Sequence, residues 1–334
     1  MTVVTRFAPS PTGFLHLGHV HAAWVAWDAA RRAGGRFLVR LEDIDTLRCR
    51  PTFAAAALED LAWLGLHGDG PVRVQSAHFF EYRGVLAALS ARGLVYPCFC
   101  SRAAIAREVA AAGAAPHGAD GPVYPGTCRG LAASERVVRI EAGEPHAWRL
   151  DMAAALAAAA GEPLGFREHG AWLAADPARF GDAVLGRRDV PASYHLCVTH
   201  DDCVQGVSLV TRAEDLLPAT HLHVLLQRLM GWPTPDYAHH RLITGADGAR
   251  LSKRGGAVTV RDLRAQGLSA QEVLQMCRVK EIEALATGNG RLDSKSQGQG
   301  SALDPLGPSC AARSRVTAPD PILSVPRPAS TASQ

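Results

Sequence analysis

The chain has 334 residues, 47% hydrophobic and 20% charged, enough for one large α/β domain or two smaller ones with cores of their own. A formal net charge of +3 excludes a uniformly basic surface, so any nucleic acid must be met by a local patch. The N-terminus carries no long apolar leader, and the apolar run from Met152 to Ala160 is too short to cross a bilayer, so no membrane association and a cytoplasmic location are expected.

In chain order, Val3 to Phe7 reads as a strand and Leu17 to Ala33 as a helix ended by Gly34 and Gly35. The apolar segment RFLVRLE, Arg36 to Glu42, reads as a second buried strand. Strand, helix and strand in this order make a βαβ unit, which implies a parallel sheet with a right-handed crossover and a doubly wound α/β fold. Helical patterns follow at Pro51 to Gly65 and His78 to Arg92. From Cys98 to Gly130 no strand period holds, and a compact insertion is expected there. Strands return at Asp182 to Gly186 and Val207 to Arg212, with a helix from Ala219 to Met230. From about Gly288 the chain is rich in Gly, Ser, Pro and Ala and has no aromatic residue, so a disordered tail is expected.

The first loop is rich in chemistry. HLGH, His16 to His19, falls where the first strand hands over to the first helix, and a helix start offers N–H groups and partial positive charge to an anion. Gly18 would permit close approach, and His16 and His19 would face one ligand. Two imidazoles aimed at a phosphate suit a reaction in which negative charge builds on phosphorus. The alternative is a turn with two surface histidines. Much later, RLSKR, Arg250 to Arg254, lies between the turn GADGA and a Gly-Gly pair and reads as a basic loop. Lys253 on such a loop can neutralise a departing pyrophosphate, although most basic loops are only solvated surface.

Taken together, RFAPSPTGFLHLGH and RLSKR resemble the paired HIGH and KMSKS signatures of class I aminoacyl-tRNA synthetases. RFAPSPTG, VRLEDID and VTRAEDLL are similar to the glutamate branch, and the resemblance runs from about Thr5 to Arg254. It implies a Rossmann-like doubly wound parallel sheet with an inserted, zinc-bearing acceptor-type subdomain. ATP would be bound by His16, Gly18, His19, Ser252 and Lys253, with His16, His19 and Lys253 catalytic and magnesium accompanying the nucleotide. L-Glutamate would be bound by Arg6, Phe7, Ala8, Pro9, Ser10, Glu42, Tyr194 and Arg212. Arg6 and Arg212 suit its carboxylates and Glu42 its ammonium, since a partly desolvated dicarboxylic amino acid needs guanidinium, acid and hydroxyl partners. Left to themselves, Arg212 could pair with Glu214 or Asp215, and Glu42 could be a solvated strand-end acid.

Eight cysteines in a chain this long argue against a disulfide scaffold. Three of them, Cys98, Cys100 and Cys128, gather in one segment with Tyr124. C-F-C followed at a distance by Y-P-G-T-C is similar to the zinc-bearing insertion of glutamyl-queuosine tRNA(Asp) synthetases, which implies one structural zinc on Cys98, Cys100, Tyr124 and Cys128. His117 is a rival for the fourth place, and cysteines that merely pack are the plain alternative.

The implied layout is 1–95 and 181–285 as the two catalytic halves, 96–180 as the insertion and 286–334 as the tail, with no anticodon-binding domain after the KMSKS-type loop. A monomer is expected. The shortened form resembles enzymes that activate glutamate with ATP in the absence of tRNA and attach it to the queuosine base of tRNA(Asp). Charging of a tRNA acceptor end, or a non-catalytic RNA-binding role, are the alternatives. Two departures from the family pattern stand out: Arg250 opens the loop where lysine is frequent, and His200 replaces a usually apolar residue.

Overall fold

The structure, a computed structural model, describes residues 2–111, 117–118, 121–242 and 258–277; side chains between 108 and 122 fall outside that description. Ser252, Lys253, Arg250 and the 286–334 tail therefore lie outside the described residues.

The expected βαβ unit is present as β1 (Val4–Phe7), α1 (Leu17–Arg32) and β2 (Arg36–Leu41). β1 and β2 run parallel, with Val4 opposite Arg36 and Phe7 opposite Val39. α1 stops at Arg32 in the way its glycines lead one to expect. Gly34 adopts φ +60°, and the Gly34 and Gly35 N–H groups donate back to Arg31 O and Ala30 O, closing the last turn with left-handed glycine geometry. α2 (Pro51–Trp63) begins with proline at its first position, as the fixed φ of proline favours. β3 (Arg73–Val74) then adds a third parallel strand beside β2, and α3 (Phe79–Ala91) follows.

The next hundred residues are more regular than their sequence suggests. They hold β4 (Val95–Cys98), α4 (Arg102–Ala111), β5 (His117–Gly118), β6 (Gly121–Pro122), α5 (Ala133–Glu141), β7 (Ala147–Leu150), α6 (Met152–Ala158), β8 (Gly165–Glu168), β9 (Ala171–Ala174) and β10 (Val184–Gly186). β4, β7 and β10 form a small antiparallel sheet. Its strands are only three or four residues long, too short for alternation to show above the noise of an alanine-rich sequence.

The chain then returns through α7 (Tyr194–Val204), β11 (Leu209–Ala213), α8 (Leu217–Met230), β12 (Asp236–His240) and α9 (Val260–Ala265). β11 and β12 are parallel, β12 pairs in parallel with β8, and β8 and β9 close a hairpin at that edge. Ser208, just before β11, bonds to β1 twice: its N–H donates to Val4 O at 3.0 Å, and its Oγ accepts from Val4 N at 2.9 Å. The strands thus run β3-β2-β1 and then β11-β12-β8-β9. The connections lead one way from β1 and the other way from β11, and the crevice at the carboxyl ends of such a pair is where open parallel sheets collect ligands. α1 packs over β1, β2 and β11, with Val20, Ala23, Trp24 and Ala26 in a core shared with Phe37, Val39, Leu61 and Val273.

Candidate active site

The HLGH segment caps α1 in an unusual way. His16 is the N-cap residue in extended backbone (φ −125°, ψ 174°), and its Nδ1 accepts from Gly18 N at 3.1 Å. His19, three residues on, returns the contact, its Nδ1 accepting from His16 N at 3.2 Å. This is the reciprocal geometry of a capping box with imidazoles in the roles usually taken by serine and glutamate. Because both Nδ1 atoms accept from backbone N–H groups, each neutral ring carries its proton on Nε2, so each presents a donor away from the helix. The ring centroids are 3.9 Å apart. A Cβ at Gly18 would sit 3.0 Å from His16 Cε1, so glycine here lets the His16 ring fold over the helix start.

The segment that follows residues 243–257 is fastened to this loop. Val260 N donates to Leu15 O at 2.8 Å, and Thr259 bridges His16 in antiparallel fashion. Thr259 also opens α9 with a capping box to Asp262. The described chain therefore leaves from beyond β12, which ends beside β11, and re-enters against His16.

The amino-acid residues named from the sequence gather at the ends of β1, β2 and β11 and the start of α7. Arg6 donates from Nε to Asp202 Oδ1 at 3.0 Å and from Nη1 to Thr211 O at 3.1 Å. Phe7 is buried in the α1 core, so only its backbone is available to a ligand, and Ala8, Pro9 and Ser10 continue from it along the loop. Glu42, at the end of β2, has its carboxylate 3.7 Å from Arg40 Nη2. Burial raises its pKa to about 7, against the pull of Arg40 and Arg6. Tyr194 opens α7 next to its N-cap Ser193, whose Oγ accepts from Leu196 N at 3.4 Å.

Arg212 does not form the local ion pair with Glu214 or Asp215 that its sequence allows. Its Nη1 donates to Tyr194 Oη at 3.3 Å and to His223 Nδ1 at 3.4 Å, its Nη2 to Thr220 Oγ1 at 2.7 Å, and its Nε to His239 Nε2 at 3.1 Å. Among the described residues no carboxylate pairs with it. Ser10, Glu42 and Tyr194 line a cavity of about 1070 Å³; Arg6 and Arg212 are 5% and 6% exposed, and Arg212 bonds to the lining residue Tyr194.

Residues 2–286 match the family described as tRNA synthetases class I (E and Q), catalytic domain. This chain belongs to the class I tRNA synthetases. It is 46% identical over 290 residues to a protein of Rhodobacter capsulatus named glutamyl-Q tRNA(Asp) synthetase, covering 82% of this chain and 99% of the relative. A protein of the same name from Symbiobacterium thermophilum is 44% identical, covering 80% of this chain and 83% of the relative. Among solved structures, a glutamate tRNA ligase of Elizabethkingia meningosepticum in complex with its amino acid superposes with a TM-score of 0.64 at 29% identity, over 77% of this chain. The present chain spans 53% of that ligase.

In this synthetase the cysteine constellation closes into one cluster. Cys100 Sγ lies 3.4 Å from Cys128 Sγ and 3.4 Å from Tyr124 Oη, and the sulfurs of Cys98, Cys100 and Cys128 all lie within 4.8 Å of one another. Burial opposes ionisation of Cys128, but hydrogen bonds from Tyr124 and from the Phe99 N–H hold its thiol below the ordinary value. Three soft sulfurs and a phenol oxygen facing one point are a suitable donor set for a tetrahedral divalent metal. The guanidinium of Arg188 clasps the Phe99 and Cys100 carbonyls at 2.6 and 2.5 Å, fixing the turn between the first two thiols. Tyr124 also lines the 1070 Å³ cavity, with Ser10, Glu42 and Tyr194. The rival ligand His117 has its side chain outside the described residues.

Several site residues have no motif to announce them. Asp202 holds both Arg6 and Arg40, at 3.0 and 2.8 Å, and despite its burial these two cations keep its pKa below the usual carboxylate range. The signal available in the sequence was the acid pair Asp201-Asp202 near the end of a helix that is buried along most of its length. His200, the departure noted above, is buried edge-on to Tyr82 and Trp232 at 5.4 and 5.6 Å, with Nδ1 3.1 Å from Asp201 Oδ1. It fills an aromatic wall and bonds to an acid that also binds Arg73, Gln75 and Tyr82.

Proposed function

We propose that this synthetase activates L-glutamate with ATP without needing tRNA for that step, and then transfers it to the queuosine base of tRNA(Asp). The observation that supports this reading is two chemistries set at the carboxyl ends of the parallel strands. At the start of α1 two imidazole Nε2 donors stand side by side, and Arg212, which among the described residues pairs with no carboxylate, bonds to Tyr194 in the wall of the cavity that Glu42 also lines. The names of the relatives supply the acceptor nucleoside.

In the first step an oxygen of the glutamate α-carboxylate attacks the α-phosphorus of ATP. The bond to pyrophosphate breaks, and a glutamyl adenylate results. His16 and His19 donate from Nε2 to the oxygens on which charge accumulates. Ser252 and Lys253, which lie outside the described residues, would hold the departing pyrophosphate, and Gly18 keeps the nucleotide approach open. Magnesium bound with ATP supplies neutralisation of the phosphate charge. Arg6 and Arg212 receive the glutamate carboxylates, Glu42 and Tyr194 the ammonium and the remaining polar edge, and Ala8, Pro9 and Ser10 line the approach with the backbone of Phe7. In the second step a hydroxyl of the queuosine cyclopentene ring attacks the glutamyl carbonyl, AMP leaves, and an ester remains on the base. Positioning and charge stabilisation suffice, and no covalent enzyme intermediate is needed.

The reading also assigns one structural zinc to Cys98, Cys100, Tyr124 and Cys128, within an insertion spanning 96–180 between catalytic halves 1–95 and 181–285. The enzyme would act as a cytoplasmic monomer; among the described residues no helix is long and apolar enough to cross a membrane. The test is transfer of labelled glutamate to tRNA(Asp) prepared with and without queuosine. Label on the anticodon-loop fragment, and only with queuosine present, is expected. Label on the 3′-terminal adenosine would overturn the reading in favour of acceptor-end charging.

A further inference from the structure

The four hydrogen bonds of Arg212 lead inward to a layer of histidines that the reaction itself does not use. His239, in β12, is buried, and Glu168 at the end of β8 grips it twice: Oε1 accepts from His239 N at 2.8 Å, and Oε2 lies 2.7 Å from His239 Nδ1. A carboxylate can only accept, so Nδ1 carries the ring proton and Nε2 is left as an acceptor. That acceptor faces Arg212 Nε at 3.1 Å. On the other flank His223, in α8, sits between Arg212 Nη1 at 3.4 Å and His195 Nδ1 at 3.1 Å. Arginine only donates, so His223 Nδ1 accepts and its Nε2–H points to His195.

Of the five N–H groups of Arg212, four are thus taken: one by His239, one by Tyr194, one by His223 and one by Thr220. All four partners are neutral when the histidines are unprotonated. Among the described residues nothing takes the second N–H of Nη2 and no carboxylate cancels the positive charge, so both are left for a ligand. A glutamate or aspartate in the place of His239 would hold the guanidinium equally well but would cancel its charge.

We propose that Glu168 and His239 form a positioning pair which, with His223, presents Arg212 to substrate as an oriented and uncompensated cation, and so sets the preference of the site for the acid side chain of glutamate over the amide of glutamine. Burial and the nearby Arg212 lower the pKa of His239 to about 4, and burial and the same guanidinium depress His223 as well, in agreement with neutral rings. The pairing is set by topology, since Tyr237 and Glu168 are directly opposite where β12 meets β8, which places His239 two residues along beside the carboxylate. The inference rests on the reading of Arg212 as a glutamate contact.

The experiment is ATP–pyrophosphate exchange as a function of glutamate, glutamine and ATP concentration, with thermal melting recorded for each protein. In His239→Leu the KM for glutamate should rise roughly tenfold or more, as for loss of a hydrogen bond to a charged group, with the KM for ATP and kcat within about twofold. In His239→Gln the side-chain oxygen reaches the position of Nε2, so most of the glutamate affinity should return although the ring is gone. In His239→Glu the advantage of glutamate over glutamine should shrink about tenfold or more, because the cation is compensated. His239→Leu with an unchanged KM for glutamate, or His239→Gln as impaired as His239→Leu at the same melting temperature, would overturn the proposal while exchange by the unaltered enzyme still supports the glutamate reading. Absence of glutamate-dependent exchange by the unaltered, folded enzyme would instead defeat the glutamate reading, and the positioning role with it.

Discussion

The two ends of the proposed site are held in opposite ways. The imidazoles of His16 and His19 are each bonded to a backbone N–H group within a single helical turn, at 3.1 and 3.2 Å. The amino-acid end is assembled from β1, β2, α7, β11 and β12, and its members are held by each other: Asp202 by Arg6 and Arg40, Arg212 by His239, His223, Thr220 and Tyr194. A backbone-held donor pair keeps its shape when its neighbours change. A network of buried charges does not, because removing one member strands another in a medium that solvates it poorly. The nucleotide end should therefore be robust to distant substitution, and the amino-acid end sensitive to pH and to residues one layer out.

The largest effect is expected at Arg212. Arg212→Ala should lower kcat/KM for glutamate in exchange by roughly a thousandfold, since a buried cation is lost from a site built to leave it unpaired. A change below tenfold would break the comparison from the amino-acid side. At the other end, His16→Ala or His19→Ala should lower kcat by about a hundredfold with the KM for glutamate altered less than about twofold, as for removal of one transition-state donor. The capping bond is lost in the same variants, so melting curves should show a small destabilisation of α1.

The third prediction uses Glu42. Its carboxyl is raised from 4.5 to about 7 by burial, so the folded protein holds that proton more tightly than the unfolded chain does. Ionising it therefore costs stability as pH rises from about 4.5 to about 7, the reverse of a salt-bridged acid. Binding the ammonium of glutamate requires the ionised form, so the KM for glutamate should fall about tenfold between about pH 6 and pH 8, and binding near pH 6.5 should release protons measurable in buffers of different ionisation enthalpy. In Glu42→Gln the proton release should vanish. Smallest on activity is the zinc proposed for the thiol cluster. Chelation, or Cys128→Ser, should lower the melting temperature by several degrees while the KM for ATP stays within about twofold, because the thiol cluster staples the segment around Phe99 and Tyr124 and not the helix start.

The two ends also differed in how much of them could be read from the sequence. HLGH was legible because its partners are three residues apart, so the spacing itself encodes the contact. The same locality made the β1-α1-β2 unit and the glycine stop of α1 legible. Arg212 was legible as a residue through its resemblance to a family motif, but its partners Thr220, His223 and His239 were not: they reach it from α8 and β12, and nothing in the linear chain says which buried histidine faces which arginine. Arg40 hid inside RFLVRL, a strand whose hydrophobicity suggested only burial. The region from Cys98 to Ala174 was legible in its thiols and poorly in its strands, since segments of two to four residues carry too few positions for a period to show. Ser252 and Lys253, named from RLSKR, lie outside the described residues, and only the anchor at Thr259 and Val260 bears on them.

The central claim is that one crevice joins an imidazole pair to a pocket for a dicarboxylic amino acid and runs the activation step unaided. ATP–pyrophosphate exchange without any RNA tests it most directly. The account predicts exchange that depends on glutamate, is at least about tenfold weaker with glutamine or aspartate, and collapses in Lys253→Ala. Exchange that appears only when tRNA is added, or that is equally strong with glutamine, would contradict it.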